Sequence, residues 1–140
     1  MALTDPGKRY VLDNDMKAAD LYVGLAVDPA ISGAGVTRAP GALTEASNTP
    51  TNYGYARGLI PTAGRATTAA GVLTFGDLST NPLTVFTPNA AGAPDFTHVA
   101  LFSALTGGTQ ITDWEPHTNQ AVAAPVNGQP YRVNALTFEL

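Results

Sequence analysis

Residues 95–108 read DFTHVALFSALTGG. In an extended chain successive side chains point to opposite faces. Phe96, His98, Ala100 and Phe102 therefore share one face, and Thr97, Val99, Leu101 and Ser103 share the other. Both rows are largely apolar, which predicts a central strand covered on both sides. The LTGG that follows predicts a hairpin or wide turn into TQITDW (109–114). LYVGLAV (21–27) has the same character and is the expected partner strand; Gly24 in its middle would mark a bulge or a close approach by a neighbouring layer.

Working outward, eleven prolines and fourteen glycines leave few windows that could hold a long helix. The exception is YVLDNDMKAADL (10–21), where Val11, Leu12, Met16 and Ala19 fall near a helical repeat, although its Asp and Asn residues have poor helix propensity. Further β-like segments are YGYARGLI (53–60), GVLTFGDL (71–78), PLTVFT (82–87), QAVAA (120–124) and YRVNALTFEL (131–140), separated by Gly, Pro and Asn turns. This pattern predicts an all-β fold, an antiparallel β-sandwich or jelly-roll-like barrel. Residues 1–20 are read as an N-terminal arm or short helix, and 21–140 as one β-sandwich domain. In the last segment Tyr131, Val133, Ala135, Thr137 and Glu139 alternate with Arg132, Asn134, Leu136, Phe138 and Leu140, with an apolar face that is unclean at both ends.

The stretch 28–52, DPAISGAGVTRAPGALTEASNTPTN, holds one Asp, one Glu, one Arg and three Pro among small residues. Ordered domains rarely keep loops beyond about 12–15 residues without a use for them, so it reads as a contact arm or a disordered loop. TPNAAGAPD (87–95) is a shorter stretch of the same kind.

At 140 residues the chain is most economically one domain. Charged residues make up 13%, about half the usual share of roughly 25%, a composition that suits packing against neighbours. A net charge of −4 lacks the basic footprint of phosphate-backbone binding, so nucleic acid is not an expected partner. With no cysteine there is neither a disulfide framework nor thiolate metal ligation. The first twenty residues mix both signs of charge without an apolar run, so they read as neither a secretory signal nor a membrane span.

His98 reads as a buried imidazole near a strand end, hydrogen-bonded to a neighbouring loop. Ser103 is about 16 Å away along the same strand, too far to form a nucleophile–base pair. Asp113, Glu115 and His117 alternate in DWEPH and are the residues a metal would use, but Pro116 argues against a regular strand there and no metal or cofactor is adopted. No carboxylate spacing supports a glycosidase pair, and no glycine run fits a phosphate loop, so the chain reads as a non-enzyme. In GYAR (54–57) and the residue before it, Tyr53, Tyr55 and Arg57 would share one face of a strand, and Tyr with Arg is the composition of interface anchors. The alternative is an edge strand with Tyr on the core and Arg in water. Arg38 and Trp114 complete the interface candidates, Trp114 reading also as a core or turn plug rather than a sugar platform.

The order LYVGL (21–25) with Asp28-Pro29, GYAR (54–57) and THVALFSALTGG (97–108), closed by LTFEL (136–140), resembles a family of small virion proteins of tailed bacteriophages. Forms such as "LYVGLHT-DP", "GGYAR" and "THVGLFDA-TGG" recur in that family. The resemblance spans roughly residues 20 to 140; each motif alone is weak, and their order and spacing carry it. It implies a β-sandwich building block of the particle, in head decoration, minor tail or fibre-like positions, with no catalytic residues. Ala26 stands where that family frequently has His, and the apolar helix often found before LYVGL is missing.

The expectation is a structural protein of the virion, a capsid decoration or cement subunit on the outer surface of the head, assembled in the host cytoplasm. Arms at 1–20 and 28–52 would contact the major capsid protein, and the subunit would form a closed homo-oligomer such as a trimer. The runner-up places it in the tail as a tube, tip or fibre-base component bound to tail proteins. A host carbohydrate-binding module is a third reading, poorly served by one Trp and five scattered Tyr.

Overall fold

The computed structural model describes residues 1–26, 43, 45, 54–76, 78, 81–89, 96, 98–117, 128–134 and 136–140. The fold is all-β with a helical N-terminus. A four-stranded antiparallel sheet has the order β2 (Gly58–Ile60), β1 (Leu21–Ala26), β6 (His98–Phe102), β7 (Glu115–Pro116). A three-stranded sheet runs β3 (Arg65–Thr67), β4 (Val72–Phe75), β9 (Thr137–Glu139), and a two-stranded sheet pairs β5 (Leu83–Phe86) with β8 (Tyr131–Val133). All the pairings are antiparallel.

The two apolar stretches pair as their composition predicts. β1 and β6 run antiparallel with Tyr22 opposite Phe102 and Ala26 opposite His98. Leu21, Val23, Leu25, Val99 and Leu101 enter the main core, where Leu73, Phe75, Val85 and Val133 from the smaller sheets meet them. The opposite face packs Ala26, Ala100, Phe102 and Trp114 in a second cluster. All five residues of β6 are buried, the central strand expected from two apolar rows. An aromatic cluster closes one end of the main core: Phe86 stacks on Tyr131 at 5.1 Å between centroids, and Phe96 meets Tyr131 edge-on at 4.8 Å. Rings in such arrangements contribute about 0.5–1.5 kcal/mol each beyond the area they bury.

The N-terminal segment takes the helical of its two expected forms, and starts earlier than the apolar repeat indicates. The helix α1 spans Asp5–Val11, with the Thr4 hydroxyl accepting from the Gly7 N–H at 3.3 Å and a proline in the first turn. It continues as a π-helical turn through Met16, closed by the Lys17 N–H donating to the Leu12 carbonyl at 2.8 Å. Leu12 is fully buried in the main core, with Met16 and Ala19 packed against it. The segment is bound to β3, where the Thr67 hydroxyl donates to the Asp13 carboxylate at 2.5 Å and Arg65 receives the helix end.

Two expected strands differ, and one strand is new. TQITDW is not a strand: only Gln110 bridges, to Phe102, and the short β7 lies further on. YRVNALTFEL breaks into two strands because 131–133 joins β5 while 137–139 joins β4, in different sheets; the unclean alternation at its ends is the trace of that crossing. β3, carrying the short run RAT, was not expected from the sequence. QAVAA and most of the 28–52 stretch lie outside the described residues.

Candidate functional site

The three motifs that dominate the sequence meet at one place, around Arg57. β2 stops pairing with β1 at Gly58, opposite Val23, and residues 55–57 leave the ladder. Two groups take over the rest of that edge of β1. The Leu25 N–H donates to the Tyr55 hydroxyl at 3.0 Å, and Glu45 bridges Ala26. The Tyr55 hydroxyl in turn donates to the Glu45 carboxylate at 2.6 Å.

Arg57 completes the arrangement. Its Nε and Nη2 donate to the two oxygens of Glu45 at 2.7 and 2.6 Å, and its Nη1 donates to the carbonyls of Ala104 and Gly107 at 2.6 and 2.7 Å. The guanidinium carbon lies 3.7 Å from the centre of the Phe102 ring. This is the bidentate, stacked geometry that arginine can make and lysine cannot. Beneath it, a side chain at Gly24 would collide with the same Phe102 ring, so the ring is held between the glycine and the guanidinium. The close approach foreseen at Gly24 is therefore made by a cross-strand neighbour. The turn that Arg57 holds, 103–108, returns the chain to Gln110 with Gly107 and Gly108 at φ of 60° and 70°, a backbone region that costs glycine little.

The electrostatics follow from this packing. The hydrogen bonds from Arg57 to Glu45 raise the guanidinium pKa above its ordinary value against the cost of burial. Burial first, then the hydrogen bond to Glu45, pushes the Tyr55 phenol up, so it stays a neutral donor. Both charges of the ion pair are largely shielded, with 9% of the Arg57 side chain and 22% of the Glu45 side chain exposed.

The interface candidates are accordingly placed otherwise than a surface strand would place them. Tyr55 is buried in the core and Arg57 is turned inward on Phe102, because residues 55–57 are not part of β2 and because Glu45 and two carbonyls accept from the Tyr55 hydroxyl and from four of the five Arg57 N–H groups. The alternative weighed from the sequence holds for Tyr55, which packs on the core, and differs for Arg57, which is shielded on Phe102 rather than solvated. Trp114 is buried against Phe102, ring centroids 5.8 Å apart. Tyr53 and Arg38 lie outside the described residues. His98 is buried at the first position of β6, opposite Ala26 and Pro116.

Asp113, Glu115 and His117 line a common cleft of about 650 Å3. Among the described residues no group of three or more carboxylate and imidazole side chains is close enough to hold a metal ion. Pro116 sits on the terminal strand, where its missing N–H breaks no ladder. Burial depresses the His117 pKa, partly countered by a hydrogen bond to the Arg132 backbone, and its Nε2 is enclosed without a partner among the described residues.

Two structural residues had no advance signal in the motifs. Glu45 is the lone glutamate of the 28–52 stretch, and an isolated charge among small neutral residues was the available clue. Arg65 lies in an unremarked run, yet it is buried and donates to five carbonyls, those of Met16, Lys17 and Ala19 at the helix end and of Ile60 and Pro61. It supplies the donors that a helix C-terminus lacks; burial lowers its pKa. No helix among the described residues is long and apolar enough to cross a membrane. No family model matches the chain, and no curated protein matches it.

Proposed function

We propose that this chain is a non-enzymatic structural protein of a tailed-phage virion, a decoration or cement subunit that binds the major capsid protein on the outside of the head. The observation that carries the reading is the convergence on Arg57. LYVGL supplies Gly24 and Leu25, GYAR supplies Tyr55 and Arg57, and the third motif supplies Phe102, Ala104 and Gly107. The residues behind the resemblance are thus used to lock backbone segments together. Residues selected to hold a shape suit a building block repeated many times.

The β-sandwich packing expected of such a block, low surface charge and closed oligomerisation belong to the same reading. Because residues 5–16 are helical and anchored through Leu12, the reach across neighbouring subunits falls in this proposal to the 28–52 stretch. Ordering an arm costs about 1–2 kcal/mol of backbone entropy per residue, a cost offset when each arm is buried against a lattice. The test is add-back to shells that lack the protein. Saturable binding at about one copy per capsid subunit supports the reading, closed symmetry making such ratios whole. Binding confined to the tail would replace it with the tail assignment, and no binding to either would overturn both.

A further inference from the structure

Two sheet edges face each other across the cleft beside His117. Among the described residues, β7 ends the four-stranded sheet and β9 ends the three-stranded sheet. Consecutive residues of each, 115–117 and 136–139, border the same opening of about 650 Å3. Consecutive residues alternate between faces in a strand, so walls built from them are strand edges rather than sheet faces. The size falls in the range of about 300–1,000 Å3 common to ligand clefts.

The third wall is an incomplete ladder. β7 pairs with β6 only at His98 and Val99, and the Leu101 N–H donates to the Thr112 hydroxyl at 3.0 Å where a regular strand would offer a carbonyl. The floor is apolar, made by Val99, Leu101, Ile111, Leu136 and Phe138, and the rim carries the exposed carboxylates of Asp113, Glu115 and Glu139. No lysine or arginine is among the described residues that line it.

We propose that this cleft binds an extended, basic peptide segment of a partner protein, added as a strand along the outer edge of β9. Strand addition takes its affinity from main-chain hydrogen bonds and its selectivity from alternate side chains. Here one row would lie on the apolar floor while the other, carrying Lys or Arg, meets the three carboxylates. The edge at 136–139 is about 13 Å long at strand rise, enough for one short extended segment. A second copy is a poor occupant: each carries a net −4, Lys8 and Arg9 lie in a helix rather than an extended stretch, and Arg57 and Arg65 are committed to groups of their own chain. The identity of the partner, a capsid protein, rests on the virion reading; the chemistry of the cleft does not.

The experiment titrates isotope-labelled protein with a blocked peptide of alternating valine and lysine, and with its valine–glutamate counterpart, following backbone amide shifts. The expected result is that the lysine peptide moves the amides of 115–117 and 136–139 and slows exchange along β9. The glutamate peptide should bind at least about tenfold more weakly, since like charges at a rim oppose association. The E115K/E139K variant, changed only at exposed positions, should lose the preference while D15K on the distant π-helical turn keeps it. Equal binding of the two peptides, shifts elsewhere, or no shifts at these residues would overturn the proposal. Because the titration uses no particle, a failure of the protein to bind shells counts against the virion reading alone.

Discussion

Replacing Arg57 by alanine removes four charge-assisted hydrogen bonds and the cation over Phe102. It also strands Glu45 beside the Tyr55 hydroxyl and leaves the carbonyls of Ala104 and Gly107 without this donor. Removing one partner of a buried ion pair costs about 3–5 kcal/mol. Glu45 keeps 22% of its side chain exposed and can rehydrate, so the lower end applies, about 3 kcal/mol. For a domain of this size that is a fall of about 10 °C in Tm. Arg57→Lys should recover little, because an ammonium cannot span both carboxylate oxygens and both carbonyls. The assay is urea unfolding of wild type, R57A, E45Q and the double variant. A coupling energy of at least about 1.5 kcal/mol is expected, as for residues in one network. An R57A cost below about 0.5 kcal/mol, typical of an exposed pair, would refute the inward clamp.

Gly24→Ala should destabilise by about 1–3 kcal/mol, because its methyl group meets a Phe102 ring already held by Arg57; a thermal melt indistinguishable from wild type would show that the ring has room to move. Arg65→Ala leaves the carbonyls of Met16, Lys17 and Ala19 without their buried donor. Faster amide exchange throughout 5–17, with the β1–β6 amides unchanged, is the expected signature, and uniform protection would contradict the anchoring role. His117 has a folded pKa depressed by burial, so the unfolded chain binds the proton more readily. Stability should therefore be complete above the unfolded value of about 6.5 and fall as the pH drops from there through the folded pKa. His117→Gln should flatten that slope in urea midpoints measured across the window, and an unchanged slope would assign it to other groups.

Much of the fold was legible where burial is two-sided. In THVALF and LYVGLA both rows of side chains are apolar, and these became the paired central strands β1 and β6. The reading failed where tertiary partners decide the conformation. GYAR alternates like a strand, yet Tyr55 leaves the ladder because its hydroxyl serves the Leu25 N–H thirty positions away and the Glu45 carboxylate ten positions away. No local pattern announces that. The helix start at Asp5 was carried by Thr4 and a proline rather than by apolar spacing, so the search for a repeat placed it late. Arg65 was invisible because five of its acceptors are main-chain carbonyls, which leave no mark in the side-chain sequence. For DWEPH, alternation alone suggested convergent ligands; Pro116 was read as an argument against a regular strand, yet Glu115–Pro116 form β7, a terminal strand where a missing N–H breaks no ladder.

The central proposal is that the chain is a repeated building block of a phage head, and the most direct measurement is its copy number in purified phage particles. Quantitative mass spectrometry against the major capsid protein should give about one copy per capsid subunit, the ratio that symmetric coverage of the shell requires. A ratio of a few per hundred subunits would contradict the account and move the protein to the tail.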